Sequence, residues 1–403
     1  MLRDWIRERL GERPAWMNVL LAFCAFMTFF YLPWDFFVKP MARDEEVWFG
    51  IRFYGFWAKL LELPHWAVYA AGAVGFWQMR RWMWPWAALY AAQVAIGFVV
   101  WPLVYVGGAR SWVVAAVGGA AFGVLTLALW RSRARFERLR PPLRERYGEW
   151  ALVTGASAGI GAAFARAFAR EGLSCVLTAR REDRLRELAA ELESRHGVKT
   201  RVLAVDLAAP GGAEELLRGV ADLEIAMLVN NAGFGGAGRF DKLAPERLRA
   251  MVELNCAAPA VLTRALLPAM HARGRGAVIL TGSVAGSQPL PLHALYSATK
   301  SFDNLLGEAL WAEFRGTGVD CLSVLPGPTE TEFQQIAKEL PHPGEAPEQV
   351  VATALDALGR QPSVISGWFN WIRANAASRL VPRSVLALAA KQVFSQSVPE
   401  ELR

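Results

Sequence analysis

Tyr296 and Lys300 lie four residues apart, so on one helix they share a face. A free phenol, with a pKa of about 10, is a poor base at neutral pH. An ammonium beside it favours the phenolate and moves that pKa toward the working range. Such a pair suits a reaction in which hydride addition to a carbonyl develops alkoxide charge that then needs a proton. A second cluster runs Thr154-Gly155-Ala156-Ser157-Ala158-Gly159-Ile160-Gly161. It follows the apolar run Trp150–Thr154 and opens the helical pattern Ala162–Glu171, closed by Gly172. In that context glycines let the backbone approach a pyrophosphate, and the helix N-terminus offers N–H groups and the positive end of its dipole. The spacing T-G-x-x-x-G-x-G is not the common G-x-G-x-x-G.

Three more motifs follow apolar runs: Asn230-Asn231-Ala232-Gly233, then Ser283, 13 residues before Tyr296, then Pro326-Gly327. Taken singly, each has a blander explanation. A Ser after a strand is usually a cap, a Tyr/Lys pair is surface packing, and Asn255 is a buried residue at a helix kink. Together and in this order, they resemble the short-chain dehydrogenase/reductase family over roughly residues 148–335, and more weakly beyond. The end of the chain resembles bacterial members related to ketoacyl reductases and hydroxysteroid dehydrogenases.

The resemblance implies a role for each matching residue. Tyr296 is the general acid/base. Lys300 lowers its pKa and holds the nicotinamide ribose. Ser283 hydrogen-bonds the substrate oxygen, and Asn255 anchors a water linking Lys300 to solvent. Gly155, Ser157, Gly159, Ile160 and Gly161 form the phosphate loop, with Asn231 and Pro326 in the neighbouring motifs. Asp206 matches the adenine-contacting acid, and Thr329 and Thr331 the loop over the nicotinamide carboxamide. The second strand ends in Thr178-Ala179-Arg180-Arg181, with no acid to bind a ribose 2′-OH. Arg180 matches the position that favours NADP(H), because a guanidinium suits a 2′-phosphate; the plain alternative is two solvated arginines at a helix start. No metal is implied, since Cys24, Cys175, Cys256 and Cys321 are scattered without metal spacing and read as four buried thiols.

The elements that must position these residues are legible as short apolar runs. They are Trp150–Thr154, Cys175–Thr178, Arg201–Val205, Ala226–Asn230, Ala277–Thr281 and Val319–Leu325. Helical patterns separate them, such as Arg184–Ser194 with Leu185, Leu188 and Leu192 on one face. Near-continuous apolar strands between helices predict an α/β fold, a Rossmann-type doubly wound parallel sheet covered on both faces.

The first third of the chain is of another kind. Residues 1–150 hold 14 of the 17 Trp and a net charge of +7, while the remainder is neutral. Runs without charge cover 14–34, 63–79, 82–109 and 111–130. A bilayer core takes about 20 apolar residues in a helix. The runs predict an all-α membrane domain of about four transmembrane helices, near 16–37, 63–79, 84–106 and 111–130. Pro33, Pro64, Pro85 and Pro102 are expected near span ends. Glu45, Arg52, Gly55, Lys59 and Glu62 are spaced as a polar stripe, which predicts an interfacial amphipathic helix over 45–62. Asp35, His65 and the Asp44–Glu46 run are expected to be solvated at span ends.

The expected organisation is a transmembrane domain (1–130), an Arg-rich linker (131–148), the catalytic domain (149–340) and a C-terminal helical extension (341–403). That extension covers the pocket, rests on the membrane or forms a subunit contact. Lys and Arg in short flanks put both termini and the catalytic domain on the cytoplasmic side. The composition suits a bacterial cytoplasmic membrane, with an endoplasmic reticulum location left open. Basic residues flanking apolar runs argue against nucleic acid as a partner. Leu290, Leu292, His293, Phe333 and Ile336 suggest a largely apolar pocket. The expected function is hydride transfer between NADPH and a lipid-like carbonyl or alcohol, by a homodimer or homotetramer. The alternatives are the alcohol-oxidation direction and an NADP(H)-sensing regulatory domain.

Overall fold

The computed structural model describes residues 14–80, 82–133, 141–337, 339–340, 343–372, 374–375, 381–396 and 398–403. The chain divides into two compact units, Met1–Leu139 and Arg140–Arg403. The basic residues expected to set topology at 3–13, 81 and 134–140 lie outside the described residues.

The first unit contains four long helices: α1 (Ala15–Phe37), α2 (Gly55–Gln78), α3 (Met83–Val106) and α4 (Gly108–Arg131). By length and apolarity α1, α3 and α4 are each able to cross a membrane. Helix α2, the second expected span, is equally long but carries Lys59 and Glu62 in its first turns. Its Pro64 lies inside the helix rather than near an end, and Pro102 opens a π turn within α3. Large apolar side chains face outward, among them Phe29, Trp112 and Val124, each about two-thirds exposed or more. That surface suits lipid rather than water. Small residues let α3 and α4 approach closely. A Cβ at Gly118 would lie 2.5 Å from the Phe98 ring, and one at Gly119 2.7 Å from Val99.

Two expectations for this unit are corrected. Residues 45–54 are not helical; they form a hairpin of β1 (Glu45–Trp48) and β2 (Ile51–Tyr54). Phe49 and Gly50 both have positive φ, 52° and 84°, as a two-residue hairpin turn of the favoured hand requires. The flanking Val47, Trp48, Ile51, Phe53 and Tyr54 are β-formers, and here they outweigh the helical spacing of the charges. Of the acids expected to be solvated, Glu45 is exposed, but Asp35 and Asp44 are not. Asp35, Asp44 and Glu62 are almost fully buried, together with Lys59. Lys39 Nζ lies 2.9 Å from Asp35 and 2.8 Å from Asp44, and Lys59 Nζ lies 2.9 Å from Asp44. Lys59 also donates to the Asp35 carbonyl, and His65 pairs with Glu46. The hairpin folds the segment before α2 inward, so the charges neutralise one another instead of meeting water.

The second unit opens with a short helix, α5 (Leu143–Tyr147), within the expected linker. It then builds β3 (Trp150–Thr154), α6 (Gly159–Arg170), β4 (Ser174–Ala179), α7 (Glu182–His196), β5 (Thr200–Ala204), α8 (Gly212–Gly219) and β6 (Ile225–Asn230). There follow α9 (Pro245–Ala272), β7 (Gly276–Thr281), α10 (Ala294–Glu313) and β8 (Val319–Leu325). Last come α11 (Phe333–Ala337), α12 (Pro347–Ala357), β9 (Ser363–Ile365), α13 (Trp368–Ile372) and α14 (Arg383–Ser395). The seven strands are all parallel, in the order β5-β4-β3-β6-β7-β8-β9. The expected six are present, and β9 adds a seventh at the edge. Helix α9 is also long and apolar enough to span a membrane. Its Leu262, Leu267 and Met270 instead fill the core beneath β6 and β7, which accounts for its hydropathy. Cys24, Cys175 and Cys321 are buried thiols, but Cys256 is half-exposed, a correction to the expected four.

The buried charges of the first unit give a stability prediction. Lys59→Met leaves Asp44 with one ammonium instead of two and should cost about 3 kcal/mol. Thermal unfolding of detergent-solubilised full-length protein reads this as a lower midpoint. An unchanged midpoint would mean that water already compensates the cluster.

Candidate active site

The strand order reverses between β3 and β6, and a crevice opens there at the carboxyl ends of the strands. Thr154, at the end of β3, holds the two loops together. Its hydroxyl accepts from the N–H groups of Asn231 and Ala232, both at 2.9 Å, and donates to the Val229 carbonyl at 3.1 Å. The Asn231 amide returns a hydrogen bond to the Thr154 carbonyl at 3.0 Å. Asn231 is thus a brace between loops as well as a lining residue.

The glycine loop turns tightly over this brace. Gly155 and Gly159 have φ of +67° and +54°. A Cβ at Gly161 would lie 2.3 Å from the Gly155 carbonyl oxygen, so only hydrogen fits where α6 starts against the loop. The N–H groups of this turn and the α6 dipole face the crevice. Arg180 and Arg181 stand at the end of β4. Arg181 donates to the Ser157 hydroxyl at 3.2 Å and pairs with Glu332 at 2.7 Å. Sequence reasoning favoured Arg180 alone and missed this contact, which joins the glycine loop to the segment after β8. Asp206 accepts from the Ala208 N–H at 3.0 Å. Thr329 donates to the Gly327 carbonyl at 3.0 Å, and Thr331 accepts from the Phe333 N–H at 3.2 Å, capping α11. The cradle that a Cβ would fill and the two guanidinium groups fit a dinucleotide carrying a 2′-phosphate.

Ser283, Tyr296 and Lys300 converge where the crevice deepens. The Lys300 ammonium is buried, donating to the Thr281 carbonyl at 2.7 Å and to Asp303 at 2.9 Å. Burial alone would lower its pKa, but Asp303 and Tyr296 hold it above the ordinary value. Burial raises the Tyr296 phenol, opposed by Lys300 and the Ser283 hydroxyl, while Glu339 and Asp303 add to the rise. Ser283 does act as a cap, since its hydroxyl accepts from the Ala285 N–H at 3.1 Å. It is also fixed from behind by Asn304, which accepts from the Ser283 N–H at 3.2 Å and donates to the Ser283 carbonyl at 3.0 Å.

Asn255 occupies a π turn within α9, Glu253–Ala257, and is fully buried. Its side chain accepts from the Phe234 N–H at 3.2 Å, and donates to the Phe234 carbonyl and the Thr299 hydroxyl, both at 3.0 Å. It ties α9, α10 and the loop after β6 together. Asp303 and Asn304 were missed in the sequence, although both share the helical face of Lys300 at i+3 and i+4.

All the expected site residues line one cavity of about 1060 Å³ except Gly161 and Asn255, which stand behind its wall. Leu290, Phe333, Ile336, Leu340, Val393 and Phe394 also line it, with Gln288, Gln334, Glu339 and Gln396 among them. The Phe333 ring lies 5.3 Å from that of Tyr296. His293 is buried, and burial pushes its imidazole down to about 4, so it is neutral at physiological pH. Its Nδ1 lies 3.4 Å from Glu339, and its ring packs edge-on against Phe394. Helix α14 therefore forms part of the cavity wall, one of the three roles open to the C-terminal extension.

Comparison with known proteins agrees with this geometry. A family model of short chain dehydrogenases matches residues 149–340. Very-long-chain 3-oxoacyl-CoA reductase-A of Danio rerio is 34% identical over 244 residues, which cover 58% of this chain and 76% of that protein. The 7beta-hydroxysteroid dehydrogenase of Collinsella aerofaciens is 34% identical over 237 residues, covering 57% of this chain and 89% of that one. A short-chain dehydrogenase from Sphingobium yanoikuyae, solved in complex with NADPH, superposes with a TM-score of 0.52 at 32% identity, over 62% of this chain and 97% of that one. A parallel seven-stranded sheet, a glycine-rich turn at its switch point and a Ser/Tyr/Lys set at one end of the crevice have the same explanation: the chain belongs to the short-chain dehydrogenase/reductase family.

Proposed function

We propose that the protein is a membrane-tethered, NADPH-dependent reductase of a long-chain acyl ketone or a comparably apolar carbonyl. The observation that carries this reading is the cavity itself. Ser283, Tyr296 and Lys300 share one cavity with Arg180 and Arg181 and with the apolar side chains of Leu290, Phe333, Ile336 and Leu340. Relatives that reduce 3-oxoacyl-CoA or act on hydroxysteroids support the substrate class. Bound in the crevice, NADPH supplies the hydride. The Ser283 hydroxyl holds the substrate oxygen. Tyr296 donates its phenolic proton to that oxygen as negative charge develops on it. Lys300 stabilises the phenolate left behind and orients the ribose. The Asn255 side chain keeps α9 and α10 in register through its bonds to Phe234 and Thr299, and we assign to its backbone the anchoring of a water that returns the proton to Tyr296 through Lys300. Arg180 and Arg181 select the 2′-phosphate.

We place the first unit in a bacterial cytoplasmic membrane as four spans, an even number that leaves both termini and the catalytic unit in the cytoplasm. The tether raises the concentration of the enzyme where apolar substrates partition. Phe302 and Leu305 on α10, with Val252 and Val261 on α9, are exposed apolar residues on the helices flanking the site. They support pairing of two copies through that face.

Detergent-solubilised full-length protein should oxidise NADPH with long-chain 3-ketoacyl and steroid carbonyls. Tyr296→Phe should lower turnover by about a hundredfold or more while NADPH still binds. Turnover confined to small soluble ketones would overturn the substrate class. Unimpaired biological function of Tyr296→Phe would point to cofactor sensing instead.

Arg180→Ala should weaken NADPH about tenfold or more and leave NADH nearly unaffected, because one charge-assisted contact to the 2′-phosphate is lost. Gly161→Ala should weaken both cofactors, since its methyl group displaces the loop that both share. Fluorescence titration with each cofactor separates the two effects.

A further inference from the structure

The ammonium of Lys300 has a partner that the proton-transfer chemistry does not call for. Asp303 lies one turn further along α10, and its Oδ2 is 2.9 Å from Lys300 Nζ. Both side chains are almost fully buried, at 6% and 4% exposure. The ammonium's second acceptor is the Thr281 carbonyl at the end of β7. Asp303 Oδ1 accepts no hydrogen bond. The carboxylate therefore spends its interactions on Lys300.

We propose that Asp303 is a positioning residue for Lys300: it anchors the ammonium against β7 before the cofactor arrives, and its negative charge offsets part of the pull of that ammonium on the Tyr296 phenol. This rests on the reading of Tyr296 as the proton donor. A lone lysine buried here would be an uncompensated cation, held loosely by one carbonyl and able to lose its proton. With Asp303 in place it remains charged and fixed by two contacts, leaving its third N–H free. The cost is electrostatic. An anion one turn below the lysine disfavours the phenolate that the lysine favours.

Few other charges act on the phenol. The π turn of α9 presents Cys256, whose thiol is pushed up to about 11 by burial and by Asp303 and is therefore neutral. The segment after α11 presents Glu339, beside the neutral His293. Arg247, on the first part of α9, is engaged by the carbonyls of Gly235 and Ile336. Glu308, further along α10, accepts from Ser363 on β9, and Asp320 on β8 is taken by Arg146 and Tyr147. The turn Val284–Ser287 carries no charged group. Asp303 is the carboxylate in direct contact with the lysine.

Asp303→Asn keeps the shape and an acceptor oxygen while removing the charge. Tyr296 phenolate is read by ultraviolet difference absorbance, each protein against its own Tyr296→Phe counterpart, in cofactor-free full-length protein. At an alkaline pH at which Lys300 keeps its proton, the phenolate-to-phenol ratio should rise about tenfold over wild type, the size expected when a nearby like charge is removed. Asp303→Glu should titrate as wild type does. Reduction needs the protonated phenol, so the alkaline limb of the kcat profile should move to lower pH by about one unit in Asp303→Asn. An unchanged phenolate ratio in folded Asp303→Asn, checked by circular dichroism, overturns the proposal. If that variant does not fold, Asp303→Ser carries the same expectation. The spectral measurement needs no substrate, so a wrong substrate class leaves the phenolate result intact.

Discussion

A cation buried at the end of a parallel sheet is costly, and much of the catalytic unit is arranged to keep one there. Lys300 is held by a backbone carbonyl of β7 and a carboxylate of its own helix. The helix must then lie against β7 and β8 with little freedom to slide. That fixed contact sets Tyr296 one turn earlier and Asn304 one turn later. Asn304 in turn fixes the peptide of Ser283 through two hydrogen bonds. The position of the serine peptide follows from the same helix that carries the phenol, so one element positions both groups.

The crevice is built from the opposite material. At the cofactor end the loops are held by side-chain-to-backbone hydrogen bonds and by the absence of bulk at the glycines. Thr154 and Asn231 lock the two loops at the switch point, and Gly161 has no room for a methyl group. A flexible loop would have to be ordered by the ligand at the expense of affinity, whereas a braced one is ready. Arg180 and Arg181 add long, charged side chains at the end of β4, and their fork of donors suits selection of a single phosphate.

The sequence made the catalytic unit legible because each chemical residue sits in a strand-turn-helix context that its neighbours announce. Six strands read as apolar runs, while Ser363–Ile365 has three residues and no period to detect. Asp303 and Asn304 resemble ordinary polar residues of a surface helix, and only their burial against β8 and the turn after β7 reveals them. In the membrane unit the spacing of Glu45, Arg52, Lys59 and Glu62 matched a helix by coincidence of period. The Phe49-Gly50 turn and its β-branched and aromatic flanks decided otherwise, because strand pairing on a short hairpin depends on side-chain packing more than on charge spacing. Asp35 and Asp44 looked like solvated residues at span ends for the same reason. Nothing in their order along the chain shows that a hairpin turns them inward onto Lys39 and Lys59.

Both units use ion pairs in low-polarity surroundings, but for different ends. In the membrane unit three buried carboxylates share two lysines. The gain there is architectural: a hairpin is bound to the helix that follows it, and no member of the cluster lines the cofactor cavity. In the catalytic unit one carboxylate faces one lysine, and the lysine lines the cavity. A balanced pair beside a reacting phenol tunes as well as holds, since any charge that stabilises the lysine also acts on the tyrosine. The apolar wall sharpens this effect. Phe333 packs against the phenol ring, and Leu290 and the α14 residue Phe394 line the same cavity. Low polarity strengthens each nearby charge, so the choice of residue at 303 matters more in an apolar cavity than it would in a wet one.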